Sequence, residues 1–465
     1  MRKAELIKPI YKLALRKLYL GKSLGWSVNL YLLNLFRQLQ MIVLRLKGTI
    51  KTFLLAMLIF SVVVACQSGK IYEPTLSLEA KEIAAIKTKV GEGLHPNTYI
   101  DAKEIAAIRT RVEAGEKPWK TAYEKMLLDA NKALSVQPYS VTKNGGPKWG
   151  HDFSSERPYC GWKRVDGKKP DCRDGQINPE ADRRDYEEAI ALGNAVRDLG
   201  LAYAFTQDSK YADKGISLIR VWCLDKKTRM NPTFTNPQSQ IELSITLPGM
   251  FYGADLLYNY SGWSAKEKKA FEDWVSAITG SAQYWSRTNN FENWRVNFIA
   301  SAGSLIKNES LLNYAFARYK ELIPIQMDEQ GKMKKEIGRT KSLFYSLYAI
   351  NAMTQVAEIA RHYDVNLYDY TNESRGLKLA VDYYAPYAAN PDSWDKEQIA
   401  PLKETDSVAL YELAYSYWQE PAYLKVINYW GRPMIEKRIL GDVSLTHANS
   451  FELDIEKNVA NSAKE

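Results

Sequence analysis

Three things are scarce in this sequence: strand patterning, long apolar runs and histidine. The alternation of apolar and polar residues that marks a half-buried strand is nearly absent, which sets aside sheet-based architectures and predicts an all-α fold. Apolar runs long enough to span a bilayer, roughly 20 residues, are missing as well. The stretch from Phe53 to Ala65, broken only by Ser61, has the length of a signal h-region. Basic charge is also scarce where it would matter for nucleic acid. The net charge of +9 is set by residues 1–66, whose 11 Lys and Arg against Glu5 alone give +10, so the remainder is about −1 and no nucleic-acid partner is expected.

The amino-terminal segment reads as an export signal. Arg45, Lys47 and Lys51 precede the apolar stretch, and Val63-Val64-Ala65-Cys66 resembles a bacterial lipobox, which makes Cys66 the lipidated residue and 41–66 a lipoprotein signal peptide starting at Met41. Residues 1–40 are then an upstream extension, with a basic amphipathic helix as the other reading. Membrane association is expected only through the lipid, on an exported periplasmic or outer-membrane-anchored protein. Of the remaining cysteines, Cys160 and Cys172 bracket a polar loop and are disulfide candidates in an oxidising compartment, with free thiols as the alternative. Cys223 reads as a buried helical thiol.

Helical patterns follow one another along the rest of the chain. Ala80-Lys-Glu-Ile-Ala-Ala-Ile86 recurs as Ala102-Lys-Glu-Ile-Ala-Ala-Ile108, each copy placing its isoleucines on one helical face. We take the first copy as part of a spacer over 67–94 and start the domain at 95, running to 465. Helices are predicted from Tyr186 to Phe205 and Tyr211 to Leu224, after the capping box Ser264-Ala265-Lys266-Glu267, from Asn297 to Ile306, from Leu311 to Ile323, and over 342–362, 373–386 and 406–417. Short polar connections between them predict sequential helical hairpins. The long segment from Ser135 to Asn178, rich in Gly, Pro and Tyr, predicts a functional loop, with His151 and Tyr159 as candidate substrate contacts and a surface histidine as the plainer reading of His151.

The most suggestive stretch runs from Asn289 to Tyr348. It opens on Asn289-Asn290-Phe291-Glu292-Asn293-Trp294-Arg295 and closes on Glu336-Ile337-Gly338-Arg339-Thr340-Lys341-Ser342-Leu343-Phe344-Tyr345-Ser346. Carboxamides and a guanidinium bind a carboxylate, and a tyrosine hydroxyl moves a proton. The same residues also serve as helix caps, ion-pair partners and core aromatics, and spacing alone does not choose between these readings.

Together with Asp174-Gly175-Gln176-Ile177-Asn178-Pro179-Glu180-Ala181-Asp182, the Asn194 to Tyr203 helix and Arg229-Met230-Asn231-Pro232, these motifs resemble the alginate lyase superfamily of polysaccharide lyases over roughly residues 95–400. The resemblance implies an (α/α) toroid, an incomplete ring of helical hairpins around a long cleft. It also implies β-elimination on an anionic uronate polysaccharide without metal or other cofactor. Removing the weakly acidic C5 proton requires the neighbouring carboxylate to be neutralised, the expected task of Arg339, Asn289 and Asn290. Tyr345 is the candidate for taking that proton and for protonating the departing O4, with Arg339 as the positive charge that would make it a base. Trp294, Arg295 and Tyr348 join His151 and Tyr159 as expected substrate contacts.

The chain departs from the family where a histidine usually follows the Asn pair, since Phe291 and Trp294 stand there and neither ring accepts a proton. His151 and His362 are the possible substitutes. A tyrosine acting alone suits syn elimination, which predicts a D-uronate backbone. Two other readings stand beside the lyase: a glycoside hydrolase using Glu292 and Glu336, and a glycan-binding lipoprotein without catalysis.

Overall fold

The duplicated segments each open a helix, α1 (Ala80–Glu92) and α2 (Ala102–Glu113), in a computed structural model that describes residues 71–143, 150–156, 158–159 and 174–449. In both, the glutamate of the repeat turns back to cap its own helix. Glu82 accepts the Glu79 N–H at 2.9 Å and Glu104 accepts the Asp101 N–H at 3.0 Å, a reciprocal arrangement that satisfies donors a helix start leaves open. The first copy is no spacer. Glu82 is buried and takes Lys320 Nζ at 2.6 Å, while Tyr72 and Thr75 donate to Glu321 at 2.9 and 2.6 Å. The compact unit therefore begins at Tyr72 rather than at 95, because a charged pair buried this way holds α1 against the body of the protein.

The helices that follow are α3 (Trp119–Ala133), α4 (Arg184–Thr206), α5 (Ser209–Ile219), α6 (Pro237–Ser244), α7 (Leu247–Leu257), α8 (Ala265–Ala282), α9 (Asn290–Leu305), α10 (Glu309–Gln326) and α11 (Ser342–Arg361). A two-residue hairpin, β1 (Thr371–Asn372) and β2 (Arg375–Gly376), leads into α12 (Leu377–Ala389), α13 (Leu410–Trp418) and α14 (Pro421–Trp430). A second small hairpin, β3 (Ile435–Glu436) and β4 (Gly441–Asp442), precedes the short α15 (Val443–Thr446).

These contacts form a circuit. Helix α3 packs on α4, α4 on α7, α7 on α9, α9 on α11, α11 on α13, and α15 bridges α13 back to α3. Helices α5, α8 and α10 pack on α4, α9 and α9 respectively, making an outer layer. The two layers differ as burial requires: every residue of α7 is buried, whereas α8 buries one face through Phe271, Trp274, Val275 and Ile278. The fold is the expected all-α (α/α) toroid.

Several boundaries differ from expectation for physical reasons. Helices α6 and α7 carry weak periodicity because they are enclosed on all sides, so no polar face marks them. Helix α9 starts at Asn290, ahead of Asn297, and α12 starts at Leu377 because residues 371–376 are spent on a tight hairpin. Helix α7 lies unusually close to α4, since a Cβ added at Gly253 would stand 2.2 Å from the Val196 carbonyl. Cys223 is buried and free, as expected. Cys66, Cys160, Cys172 and the expected signal segment at 41–66 lie outside the described residues.

Candidate active site

A cavity of about 280 Å³ opens where α9 and α11 begin. Its first wall comes from the loop at 174–177, the start of α9 and the start of α11, contributing Asp174, Gly175, Asn290, Phe291, Arg339, Lys341 and Tyr345. The second comes from α6, whose Gln238, Ile241 and Glu242 share one helical face, and from Arg438 in the β3–β4 loop. Tyr159 and Tyr348 also line it.

On the first wall every strong charge already has a partner. The Arg339 guanidinium forks onto Asp174, with Nε and one terminal nitrogen 2.9 and 3.1 Å from the carboxylate oxygens, and its other terminal nitrogen lies 3.6 Å from Glu336. The same guanidinium lies over the Tyr345 ring, 3.9 Å from its centroid. Asp174 would be raised by its partial burial, but Arg339 and Thr340 outweigh that and hold its carboxyl below the usual range. Lys341 Nζ donates to the Gly175 carbonyl at 2.9 Å. Gly175 needs its missing side chain: its φ is +76°, and a Cβ would stand 3.0 Å from the Tyr345 hydroxyl.

The helix starts are occupied too. Asn289 is the N-cap position of α9 but makes no side-chain cap; the buried Glu336 carboxylate instead accepts the Asn290 N–H at 2.8 Å. The Ser342 N–H donates to the Glu397 carbonyl at 3.0 Å, and those of Leu343 and Phe344 to Gln398 Oε1 at 3.2 and 3.4 Å. Asn290 Nδ2 is buried without a hydrogen-bond partner, so this amide is free to donate to a ligand.

Burial pushes the Tyr345 hydroxyl up to about 12, and the opposing pull of Arg339 does not cancel it. The guanidinium is stacked on the ring face, which limits what it does for the phenolate oxygen. At neutral pH this residue is a phenol.

The other expected contacts divide. Tyr159 and Tyr348 line the cavity, and Asn290, Arg339 and Tyr345 are brought together. Asn289 faces an adjoining recess with Ser286, Arg287, Thr288 and Lys335. Trp294 and Arg295 are fully buried and line neither. Trp294 lies one helical turn below Asn290 and packs under Tyr348 with ring centroids 4.8 Å apart. Arg295, turned to another face, binds Glu292 at 2.5 Å and the Tyr314 hydroxyl at 2.9 Å. Glu292 also holds Arg318 at 2.7 Å, so neither it nor Glu336 is presented to the cavity as a hydrolase acid would be.

None of the four histidines lines the cavity. His151 is within 2.7 Å of the Arg229 carbonyl, His362 within 3.1 Å of Glu104, His95 within 2.5 Å of Asp255, and His447 within 2.7 Å of Thr446. The imidazole missing after the Asn pair is not replaced from elsewhere. Among the described residues no cluster of three or more His, Cys, Asp or Glu is placed to hold a metal.

The profile of the alginate lyase family matches residues 140–394. The chain belongs to the alginate lyase family. It is a polysaccharide lyase. Among solved structures it is similar to an alginate lyase from Bacteroides ovatus, with a TM-score of 0.65 and 25% identity over 76% of this chain and 100% of that one. Alginate lyase A1-III from Sphingomonas species A1 matches with a TM-score of 0.58 and 18% identity over 80% of this chain and 99% of that one. A substituted A1-III complexed with a tetrasaccharide matches with a TM-score of 0.56 and 19% identity, covering 76% and 95%. No curated protein sequence matches the chain.

Two contributors to the site carried no motif. Glu242 is 2% exposed, receives Gln238 Nε2 at 3.3 Å, and keeps its other oxygen without a hydrogen-bond partner; burial pushes its carboxyl up to about 7. Arg438 lies over the Tyr348 ring at 4.7 Å. The spacing of Gln238, Ile241 and Glu242 was a readable helical face, but nothing in it signalled a cavity.

Proposed function

We propose that this lyase cleaves a 4-linked uronate polymer, alginate or a related polyuronate, by β-elimination, with Tyr345 as the proton-transfer group. The reading is carried by the meeting of the Tyr345 hydroxyl, the unpartnered Asn290 amide and the guanidinium groups of Arg339 and Arg438 in one cavity that holds no imidazole. The names of the solved relatives, and the tetrasaccharide in one of them, support a polysaccharide of this class.

In the step itself Tyr345, as phenolate, takes H5; the electrons left on C5 form the C4–C5 double bond as the C4–O4 bond breaks; and the same oxygen returns the proton to O4. One proton moves from C5 to O4, and the product carries an unsaturated uronate end. Asn290 donates to the carboxylate on which negative charge develops. Arg339, bound to Asp174, holds the ring of Tyr345 in place. Because burial sets the phenol at about 12, the phenolate is scarce at neutral pH and kcat/KM rises toward alkaline pH. A single group serving both transfers reaches H5 and O4 from one side, which favours D-mannuronate or D-glucuronate over L-guluronate.

A panel of purified homopolymers assayed for the ultraviolet absorbance of the conjugated product tests this. We expect unsaturated products from a D-uronate polymer; equal or faster cleavage of guluronate blocks contradicts the one-sided mechanism. Export as a lipoprotein anchored through Cys66 is the accompanying proposal, supported by the basic residues and apolar stretch before it. Loss of lipid labelling in Cys66→Ala is the expected result, and unchanged labelling refutes it.

A further inference from the structure

An anionic substrate needs a cation that is not already neutralised, and the cavity offers few. Arg339 is committed to Asp174 and lies near Glu336, Lys341 donates to the Gly175 carbonyl, the first amide of α9 is taken by Glu336, and those of α11 by the 397–398 segment. Arg438 differs. It lines the same cavity, is only partly buried, and has no ion pair among the described residues. The acid beside it on the loop, Glu436, is turned inward and accepts the N–H groups of Arg438, Ile439 and Leu440 at 3.3, 2.7 and 3.0 Å. Those bonds hold the loop rigid, and the face of the Tyr348 ring holds the guanidinium plane.

We propose that Arg438 is the residue that receives the carboxylate of the bound uronate, a part the committed Arg339 does not play. The inference rests on the uronate reading above. The guanidinium, beside the Tyr186 hydroxyl and over the Tyr348 ring, would meet its ligand with no carboxylate partner to give up and its position preset, so little ordering is lost on binding.

The test crosses a protein change with a substrate change. Wild type, Arg438→Gln and Arg438→Lys are assayed on a free-acid polyuronate and on its methyl ester, with circular dichroism confirming the fold of each. A charge-assisted contact of this kind is expected to be worth about tenfold to a hundredfold in kcat/KM. Wild type should lose that factor on the ester. Arg438→Gln should lose it on the free acid and then discriminate little between the two substrates, while Arg438→Lys keeps part of the discrimination. Losses that multiply, with Arg438→Gln preferring the free acid as strongly as wild type, overturn the proposal. Should wild type cleave no uronate polymer, the same cycle is read on the Kd of saturated oligouronates. Coupling there supports Arg438 while the lyase mechanism fails, and absence of any uronate binding overturns both.

Discussion

Two arginines lie over two tyrosines of the same helix, one turn apart, and they are not equivalent. Arg339 stacks on Tyr345 with its guanidinium forked onto Asp174, whereas Arg438 stacks on Tyr348 with no carboxylate partner among the described residues. Phe344 joins the two tyrosines, stacking on Tyr348 with centroids 5.7 Å apart and meeting Tyr345 edge-on at 5.2 Å. The cavity thus has one wall whose charges are satisfied before substrate arrives and one whose charge waits for it. A satisfied pair positions neighbouring groups; an unsatisfied one pulls a ligand in.

Removing Arg339 is the strongest way to break the comparison. Arg339→Ala frees Asp174 and uncovers the Tyr345 ring, so kcat/KM is expected to fall about a hundredfold, of the order associated with misplaced catalytic groups. Steady-state kinetics on free-acid and esterified polymer should show that this variant still prefers the free acid. Loss of that preference would mean that Arg339 meets the substrate carboxylate after all.

A smaller effect is expected from the loop that faces Tyr345. Gly175→Ala adds a carbon 3.0 Å from the hydroxyl at a backbone conformation that side chains resist. A drop of about tenfold in kcat, with the melting temperature little changed, is the predicted outcome, because a small displacement of a proton-transfer group is costly. An unaltered kcat would show that the hydroxyl is not held against this loop during the reaction.

The smallest change is in the pH dependence of stability, and it belongs to the second wall. Glu242 is raised by burial from 4.5 to about 7, so the folded protein keeps a proton that the unfolded chain releases. Stability from this group is full below about 4.5 and declines as pH rises through about 7. Glu242→Gln should flatten that part of a denaturation-versus-pH curve, leaving the share that Asp442, also raised to about 7 by burial, supplies. A curve with the wild-type slope contradicts the assignment.

The satisfied wall is the one the sequence made legible. Asn290, Arg339 and Tyr345 sit in short motifs, and the helices that carry them follow readable apolar spacing. Trp294 and Arg295 lie away from the cavity because the motif gives neighbours in sequence, while the helix turns about 100° per residue and sends these two inward. The waiting wall was illegible for a different reason. Arg438 stands in a hairpin loop far along the chain, surrounded by residues that spell no motif, and it reaches the cavity only because the circuit of helices returns through α15. Glu242 was hidden by a short helix buried on every side. The capping glutamates of the two repeats show the same limit: both starts were readable, but not that the first copy docks through Glu82 on Lys320.

The phenol of Tyr345 is the group on which the proposed elimination depends. Tyr345→Phe keeps the ring under Arg339 and removes only the oxygen, so oligouronate affinity should stay within a few-fold of wild type while formation of unsaturated ends falls by about a thousandfold. Turnover in this variant near the wild-type rate would contradict the assignment of the proton transfer to that oxygen.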